Sequence, residues 1–208
     1  MDKNKDIFLK QYINYMLNGH DYVEIAGIKW ATKNVGAEKE TDYGLYFAWR
    51  EIQGHTVDEL KNCETLFSDS AYEYLKYNEE DGKTVLDLSD DAARAYLGGS
   101  WRMPTDEEFD CLVKATTHEW IENYKGSGVN GMLFTDKNDK TKKVFFPAAG
   151  VCYNGCLYDE GSYGCLWSSS LLTSSVNNGR CLYFGRAYKS THFNFRCYCF
   201  SVRGVCVG

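Results

Sequence analysis

The sequence predicts an α+β domain, with helices in its first part and strands filling the rest. Two helix starts are signed before residue 110, in "LSDDAARAYLGG" and "RMPTDEEFDCLVKA". Short runs with apolar and polar residues in alternation, punctuated by turn residues, recur from "DYVEIAGIKWAT" onward. Beyond Gly150 no helix is signed, and Gly, Ser, Asn and aromatic residues follow one another in short stretches. Helices early and strands late, rather than in alternation, indicate α+β.

Taken in order, residues 6–17 place Leu9, Ile13, Met16 and Leu17 on one side at helical spacing, with Gly19 as a stop, so residues 1–19 are expected to form an N-terminal helix packed on a domain of residues 20–208. Val23 and Ile25 alternate with polar neighbours, the chain turns at Ala26 and Gly27, and Ile28 and Trp30 follow, which predicts a strand pair. Residues 42–87 are less regular: an aromatic run "YGLYFAW", a polar loop around His55 and a short helix over 71–77. Ser89 is the expected N-cap of the next helix, with Asp90 and Asp91 at the positive end of its dipole and Gly98 as its stop. Thr105 and Glu108 have the spacing of a capping box after Pro104, and Phe109, Leu112 and Val113 face the core. Strands are predicted over 120–124, 129–135 and 143–146, the last two joined at "DKNDK". From 151 to 208 strands connected by long exposed loops are expected, ending in a buried strand at "FSVRGV".

The bulk properties narrow the function classes. At 208 residues with 44% hydrophobic and 15% aromatic content, the chain can bury one substantial core. No stretch approaches the roughly 18 apolar residues of a membrane span, and "MDKNKDIFLKQYINYMLNGH" lacks the apolar run of a signal peptide, so no membrane insertion is expected. The net charge of -6 argues against nucleic acid as a partner. Residues 151–208 carry five Lys/Arg against two Asp/Glu, too dilute to track phosphates.

Seven of the nine cysteines lie after residue 150: Cys152, Cys156, Cys165, Cys181, Cys197, Cys199 and Cys206. A disulfide framework belongs to small secreted chains with too little core. Zinc would need paired Cys/His sets at ligand spacing, which Cys197-x-Cys199 beside His192 does not supply. Scattered free thiols acting as small apolar groups are the favoured reading, with no metal and no cofactor. His20, His55, His118 and His192 form no ligand motif, and no nucleophile elbow or phosphate loop is present. "GSGVNG" reads as a structural turn, and Asp159 with Glu160 falls short of a calcium set.

Several stretches, in order, carry a resemblance: "GIKWATKNVGA", "YFAW", "GGSWRMPTDEEF", "FPAAG", "GSYGCLWSSS" and "FSVRGVC". Together, over about residues 20–208, they resemble the formylglycine-generating-enzyme-like C-type lectin fold found in bacterial surface proteins and in the variable proteins of diversity-generating retroelements. The resemblance implies two main helices, small antiparallel sheets, and a ligand-binding face in a variable region of about 151–208. It also implies display on a phage virion or bacterial cell surface. In retroelement-linked members that face is rewritten at adenines, typically in AAC codons. Substituting the first two bases of AAC never gives Trp, Gln, Lys, Met or Glu. Residues 151–208 contain no Gln or Met, one Lys (Lys189), one Glu (Glu160) and one Trp (Trp167). On this reading Cys156, Cys165, Cys181 and Cys197 are sampled outcomes that need no partner.

The same resemblance divides framework from display. Framework positions are Trp101, Arg102, Pro104, Phe109, residues 146–150, Trp167 with Ser168, Ser169 and Ser170, Phe200, Val202 and Arg203; Trp167 is expected buried and Arg203 paired. Display positions are Tyr163, Cys165, Leu166, Leu171, Leu172, Asn177, Asn178, Arg180, Cys181, Tyr183, Tyr188, His192, Phe193, Phe195, Cys197 and Tyr198. Tyr188, Phe193 and Arg180 are the expected anchors, since aromatic and Arg side chains carry most interface energy. Against this, alternation in "HFNFRCYCF" would bury Phe193, Phe195, Cys197 and Cys199 on one strand face. The implied function is non-enzymatic binding of a macromolecular ligand, foremost protein, with carbohydrate as an alternative. A fixed-sequence adhesin or lectin of the same fold, and a copper/thiol oxidase-like enzyme, are the other readings. The cysteine arrangement does not match the latter.

Overall fold

A computed structural model describes residues 16–61 and 76–207. The expected N-terminal helix lies, up to residue 15, outside the described residues. Its last two positions form a strand instead, β1 (Met16–Leu17), paired with β2 (His20–Ile25). The reason is Asn18-Gly19, at φ 51° and 80°, where positive φ at both positions suits a tight hairpin turn better than a helix stop. β2 turns at Ala26-Gly27 into β3 (Ile28–Asn34), as the alternation predicts. β4 (Tyr46–Ala48) follows, then helix α1 (Val57–Lys61). Of the short helix expected over 71–77, residues 71–75 lie outside the described residues. Lys76 and Tyr77 are non-helical, Tyr77 with φ 61°.

Helix α2 (Ala92–Leu97) is capped by Asp91 rather than by the expected Ser89. Residues Leu88–Asp90 form a 3-10 turn, which carries Ser89 out of the cap position. One Asp91 oxygen accepts from the Arg94 N–H and the other from the Met103 N–H, both at 2.8 Å, which ties α2 to the "WRMPT" turn. Gly98 ends the helix at φ 64°, as expected. Helix α3 (Asp106–Ala115) opens with the expected capping box of Thr105 and Glu108. Glu108 also takes a bidentate ion pair from Arg102, at 2.7 and 2.6 Å, which fixes the entry of the helix. The Thr116 hydroxyl donates to the Leu112 carbonyl, and β5 (Thr116–Ile121) begins there, four residues before its expected start, on two β-branched threonines. Tyr124, expected in this strand, instead sits in a 3-10 turn and stacks on Phe145 at 3.9 Å. β6 (Gly131–Asp136) and β7 (Lys143–Pro147) complete a three-stranded meander.

The C-terminal part departs most from expectation. It is not loop-rich: strands β8 (Val151–Tyr153), β9 (Cys156–Tyr158), β10 (Tyr163–Leu171), β11 (Asn178–Gly185), β12 (Tyr188–Phe195), β13 (Cys199–Ser201) and β14 (Arg203–Val207) follow with short connections. All but β14 join one sheet in the order β12-β11-β10-β13-β8-β9, with β4 also paired to β13. β14 crosses to the sheet β1-β2-β3-β14, where Val207 pairs with Ile28 and Arg203 with Asn34. The described chain is therefore α+β with three helices and three sheets.

Two buried cores flank the large sheet. On one side α3 lays Phe109 and Leu112 against Trp30, Phe134, Phe146, Leu166, Leu182 and Phe184. On the other, Trp49, Trp167, Phe47, Cys165, Cys181 and Phe200 pack together. The tryptophans of "YFAW" and "LWSSS" brace the second core in both directions. Trp167 Nε1 donates to the Phe47 carbonyl and Trp49 Nε1 to the Ser168 carbonyl, each at 2.8 Å. Gly179 lets Trp49 lie flat on β11, because a Cβ there would stand 2.6 Å from the indole.

Arg203 is fully buried, as a framework residue should be, but its partners are not carboxylates. Its guanidinium donates to the carbonyls of Ala31 and Phe145 at 2.9 and 3.1 Å and lies over the Phe146 ring at 4.7 Å. Burial lowers its pKa to about 9, which leaves it a cation at neutral pH. Arg203→Ala strips two buried carbonyls of their donor and opens a cavity. The urea midpoint is expected to fall by the equivalent of about 3–5 kcal/mol with the denaturant slope unchanged. An unchanged midpoint would remove Arg203 from the framework. Gly179→Ala is expected to lower the midpoint as well, through the clash with Trp49.

Candidate ligand-binding face

The β10–β11–β12 ladder positions the side chains that the sequence assigns to display. Its register pairs Tyr163 with Gly185, Cys165 with Tyr183, Trp167 with Cys181, and Cys181 in turn with His192. Paired residues share a face, so Tyr163, Tyr183, Tyr188 and His192 stand on the side opposite α3. Tyr163 and Tyr183 stack at 5.3 Å, and Tyr188 and His192 approach Tyr183 at 5.9 and 6.1 Å. Gly185 leaves room for this, since a Cβ there would meet the Tyr163 ring at 2.5 Å.

A second row continues across the sheet. Tyr153 stacks between Tyr158 at 4.2 Å and Tyr198 at 4.9 Å, and Tyr198 reaches Phe200, which itself stacks on Trp167. The exposed tyrosines thus stand on a floor of buried Cys165, Cys181, Trp167 and Phe200. Tyr153 and Tyr158 were absent from the expected display set. The signal was in the sequence: "YNGC" is an Asn-Gly hairpin, and Asn154 and Gly155 take φ of 50° and 69°. Arg196 was missed too. It is fully buried, donates to the carbonyls of Lys76, Tyr77 and Val176, and lies 4.6 Å over Trp49. No local sequence pattern distinguishes such an arginine from a displayed one.

The expected display set divides. Tyr163, Asn177, Tyr188, His192, Phe193 and Phe195 are exposed, and Arg180, Tyr183 and Tyr198 are partly so. Cys165, Leu166, Leu171, Leu172, Asn178, Cys181 and Cys197 are buried, which corrects their placement at the surface. Five of them lie on β10 and β11, central strands covered on both faces, so that β10 is buried almost end to end, while Leu172 and Cys197 lie in the connections that follow β10 and β12. The alternation in "HFNFRCYCF" is likewise broken. Phe193 and Phe195 are each 44% exposed while Cys197 and Cys199 are buried, because the chain turns after Phe195 and enters a different strand. The anchors also part company. Arg180 and Phe193 are a register pair on the α3 side, and Tyr188 points the other way.

On the α3 side Arg180 stands 3.7 Å from Asp106, whose carboxyl is raised by burial against the pull of that arginine, and Thr191 donates to Asp110 at 3.2 Å. On the tyrosine side, burial and then the Tyr163 and Asp159 neighbours push Tyr183 up to about 12, so it is a neutral phenol. Burial raises the Cys165 thiol well above its ordinary value, and that of Cys152 to about 11. A cleft of about 680 Å³ lies elsewhere, between β2, β3 and residues 38–40, with mixed charges that include the Asp21–Lys33 pair at 3.9 Å. Among the described residues no group of three or more His, Cys, Asp or Glu side chains is placed to hold a metal ion. No helix among them is long and apolar enough to cross a membrane. No protein-family model, curated protein or solved structure matches the chain.

The eight described cysteines are all free thiols, with only Cys111 and Cys156 exposed. Alkylation of the folded protein near pH 8 is therefore expected at Cys111 and Cys156, with the other six described cysteines modified only after denaturation, as read by peptide mass spectrometry. Rapid native labelling of Cys165 or Cys181 would contradict the buried floor. Floor and display positions should also differ in tolerance. Tyr188→Ser is expected to change stability by less than about 1 kcal/mol, whereas Cys181→Asp buries a charge and costs about 3 kcal/mol or more in the same denaturation assay.

Proposed function

We propose that this chain is a non-enzymatic ligand-binding protein of the formylglycine-generating-enzyme-like C-type lectin fold, displayed on a phage or bacterial surface. On this reading its C-terminal region, from about residue 151, is diversified by a retroelement to meet varied macromolecular targets, proteins foremost. The observation that carries it is the collection of exposed Tyr158, Tyr163, Tyr188 and His192 and partly exposed Tyr153 and Tyr183 side chains on one side of the large sheet, above a braced and buried floor. Tyrosine supplies broad contact area at low conformational cost, and a rigid sheet holds it in place while the side chains change. Two features of the chain fit the same reading: the codon-limited composition of residues 151–208, and a framework made of the recognisable motifs themselves. The buried set revises which positions can vary. Diversity compatible with folding belongs to the outward tyrosines, His192, Phe193 and Asn177, not to Cys165, Leu166 or Cys181.

One observation favours a second reading. Cys165, Cys181 and Cys197 share the composition of a diversified region yet are buried, which suits a fixed-sequence adhesin or lectin. Sequencing the gene's surroundings separates the two. Under the first reading a reverse-transcriptase gene and a near-copy of the 3′ end lie nearby. The copy differs only at adenines, and the differences fall on codons for outward positions such as Tyr153, Tyr183 and Tyr188 and spare Trp167, Phe200 and Arg203. Absence of the near-copy, or differences spread over all four bases, rejects diversification and leaves the fixed-sequence binder.

A further inference from the structure

We propose that β12 is a self-association edge: a second copy of this chain adds its own β12 antiparallel, extending the seven-stranded sheet across a two-fold axis. Among the described residues β12 ends the strand order and pairs only with β11. It is eight residues long, contains no proline, and carries one charged side chain, Lys189. Edge strands that avoid association are usually short, interrupted by proline or bulges, or studded with charge, and apart from that single lysine β12 has none of these devices. Phe193 and Phe195 are each 44% exposed on it.

Main-chain geometry shows which groups face outward. The Phe193 carbonyl accepts from His192 Nδ1 at 2.8 Å, and the Phe195 N–H donates to Asn194 Oδ1 at 3.1 Å. The two-residue loop between Gly185 and Tyr188 makes that register pair a hydrogen-bonded one, so the odd-numbered positions 189 to 193 and the Phe195 N–H point away from β11, while the Phe195 carbonyl already accepts from the Tyr198 N–H at 3.0 Å. A partner strand replaces these two adjacent-residue contacts with a regular ladder.

Self-complementarity selects the register. With the axis at His192, Thr191 of each copy opposes Phe193 of the other, and Lys189 opposes Phe195. Outward groups then meet outward groups, no like charges stand opposite, and the two Phe193 side chains become diagonal neighbours, each flanked on its own strand by Phe195. Charge fits as well. The odd-numbered side chains lie on the α3 side of the sheet, where the first turn of α3 is acidic through Asp106, Glu107 and Glu108. Asp106 Oδ1 is buried without a hydrogen-bond partner among the described residues, and its carboxylate is only 3.7 Å from Arg180. Lys189 of the second copy arrives level with that turn.

Sedimentation equilibrium of the full chain tests this, comparing wild type with Thr191→Pro, which removes an outward N–H, and Phe193→Lys, which places charge at the diagonal Phe193 contact. Circular dichroism checks that each variant is folded, and Phe193→Lys alters an exposed position in case the proline disturbs β11. The expected result is a wild-type dimer whose dissociation constant rises at least about 100-fold in folded Phe193→Lys. A wild type that stays monomeric to millimolar concentration overturns the proposal, and so does a dimer that Phe193→Lys leaves intact.

Discussion

The two-way brace between Trp49 and Trp167 is the contact on which the rest of this structure depends. Each indole is fully buried and needs an acceptor for its N–H, and each finds it in the other's segment, at Ser168 and Phe47. The bonds join residues more than a hundred positions apart. They hold β10 against the early segment around β4, and the indoles supply the apolar mass of the core beneath the tyrosine face. The serines after Trp167 extend the connection. Ser169 bonds the Pro104 carbonyl through both its N–H and its hydroxyl, and the Ser170 hydroxyl receives the Asp106 N–H at the start of α3. A run of three serines, polar by composition, is thereby buried at low cost because main-chain and side-chain groups have partners.

Two buried arginines complete the framework in the same manner. Arg203 links the β3 and β7 sheets, and Arg196 closes the path from the end of β12 back to Tyr77 and Trp49. Carbonyl oxygens and aromatic faces take the place of carboxylates. A guanidinium tolerates this better than an ammonium does, because it is weakly hydrated and presents donors in a planar fork. The arrangement fixes the position of three chain segments at once without adding negative charge to an already acidic protein.

Such a framework leaves the outer side chains of the ladder free of structural duty. Tyr163 and Tyr188 lie exposed against Tyr183, which itself packs on the core below, so exchanging the outer two alters the surface more than the fold. Two residues along each strand on the same face, Cys165 and Cys181 fill space between closely packed strands, where a larger or charged side chain has nowhere to go. Tolerance to substitution therefore changes along one face of a single strand within two residues.

Local chemistry alone determined a good part of this protein. The capping box at Thr105, the stop at Gly98, the β2–β3 turn at Ala26-Gly27 and the burial of Trp167 were legible because each rests on neighbouring residues or on a large apolar side chain. Two Asn-Gly turns were equally local, and reading them as hairpins would have given β1 and the Tyr153–Tyr158 pair. Tertiary structure decided the rest. Whether Cys165, Leu171 or Cys181 is inside depends on β10 and β11 being central strands covered on both faces, and strand order is set by pairings between distant residues. Arg180 and Arg196 look alike in sequence, yet one lies at the surface and the other lies under Trp49. A strand's neighbours, not its composition, choose which of its faces meets water.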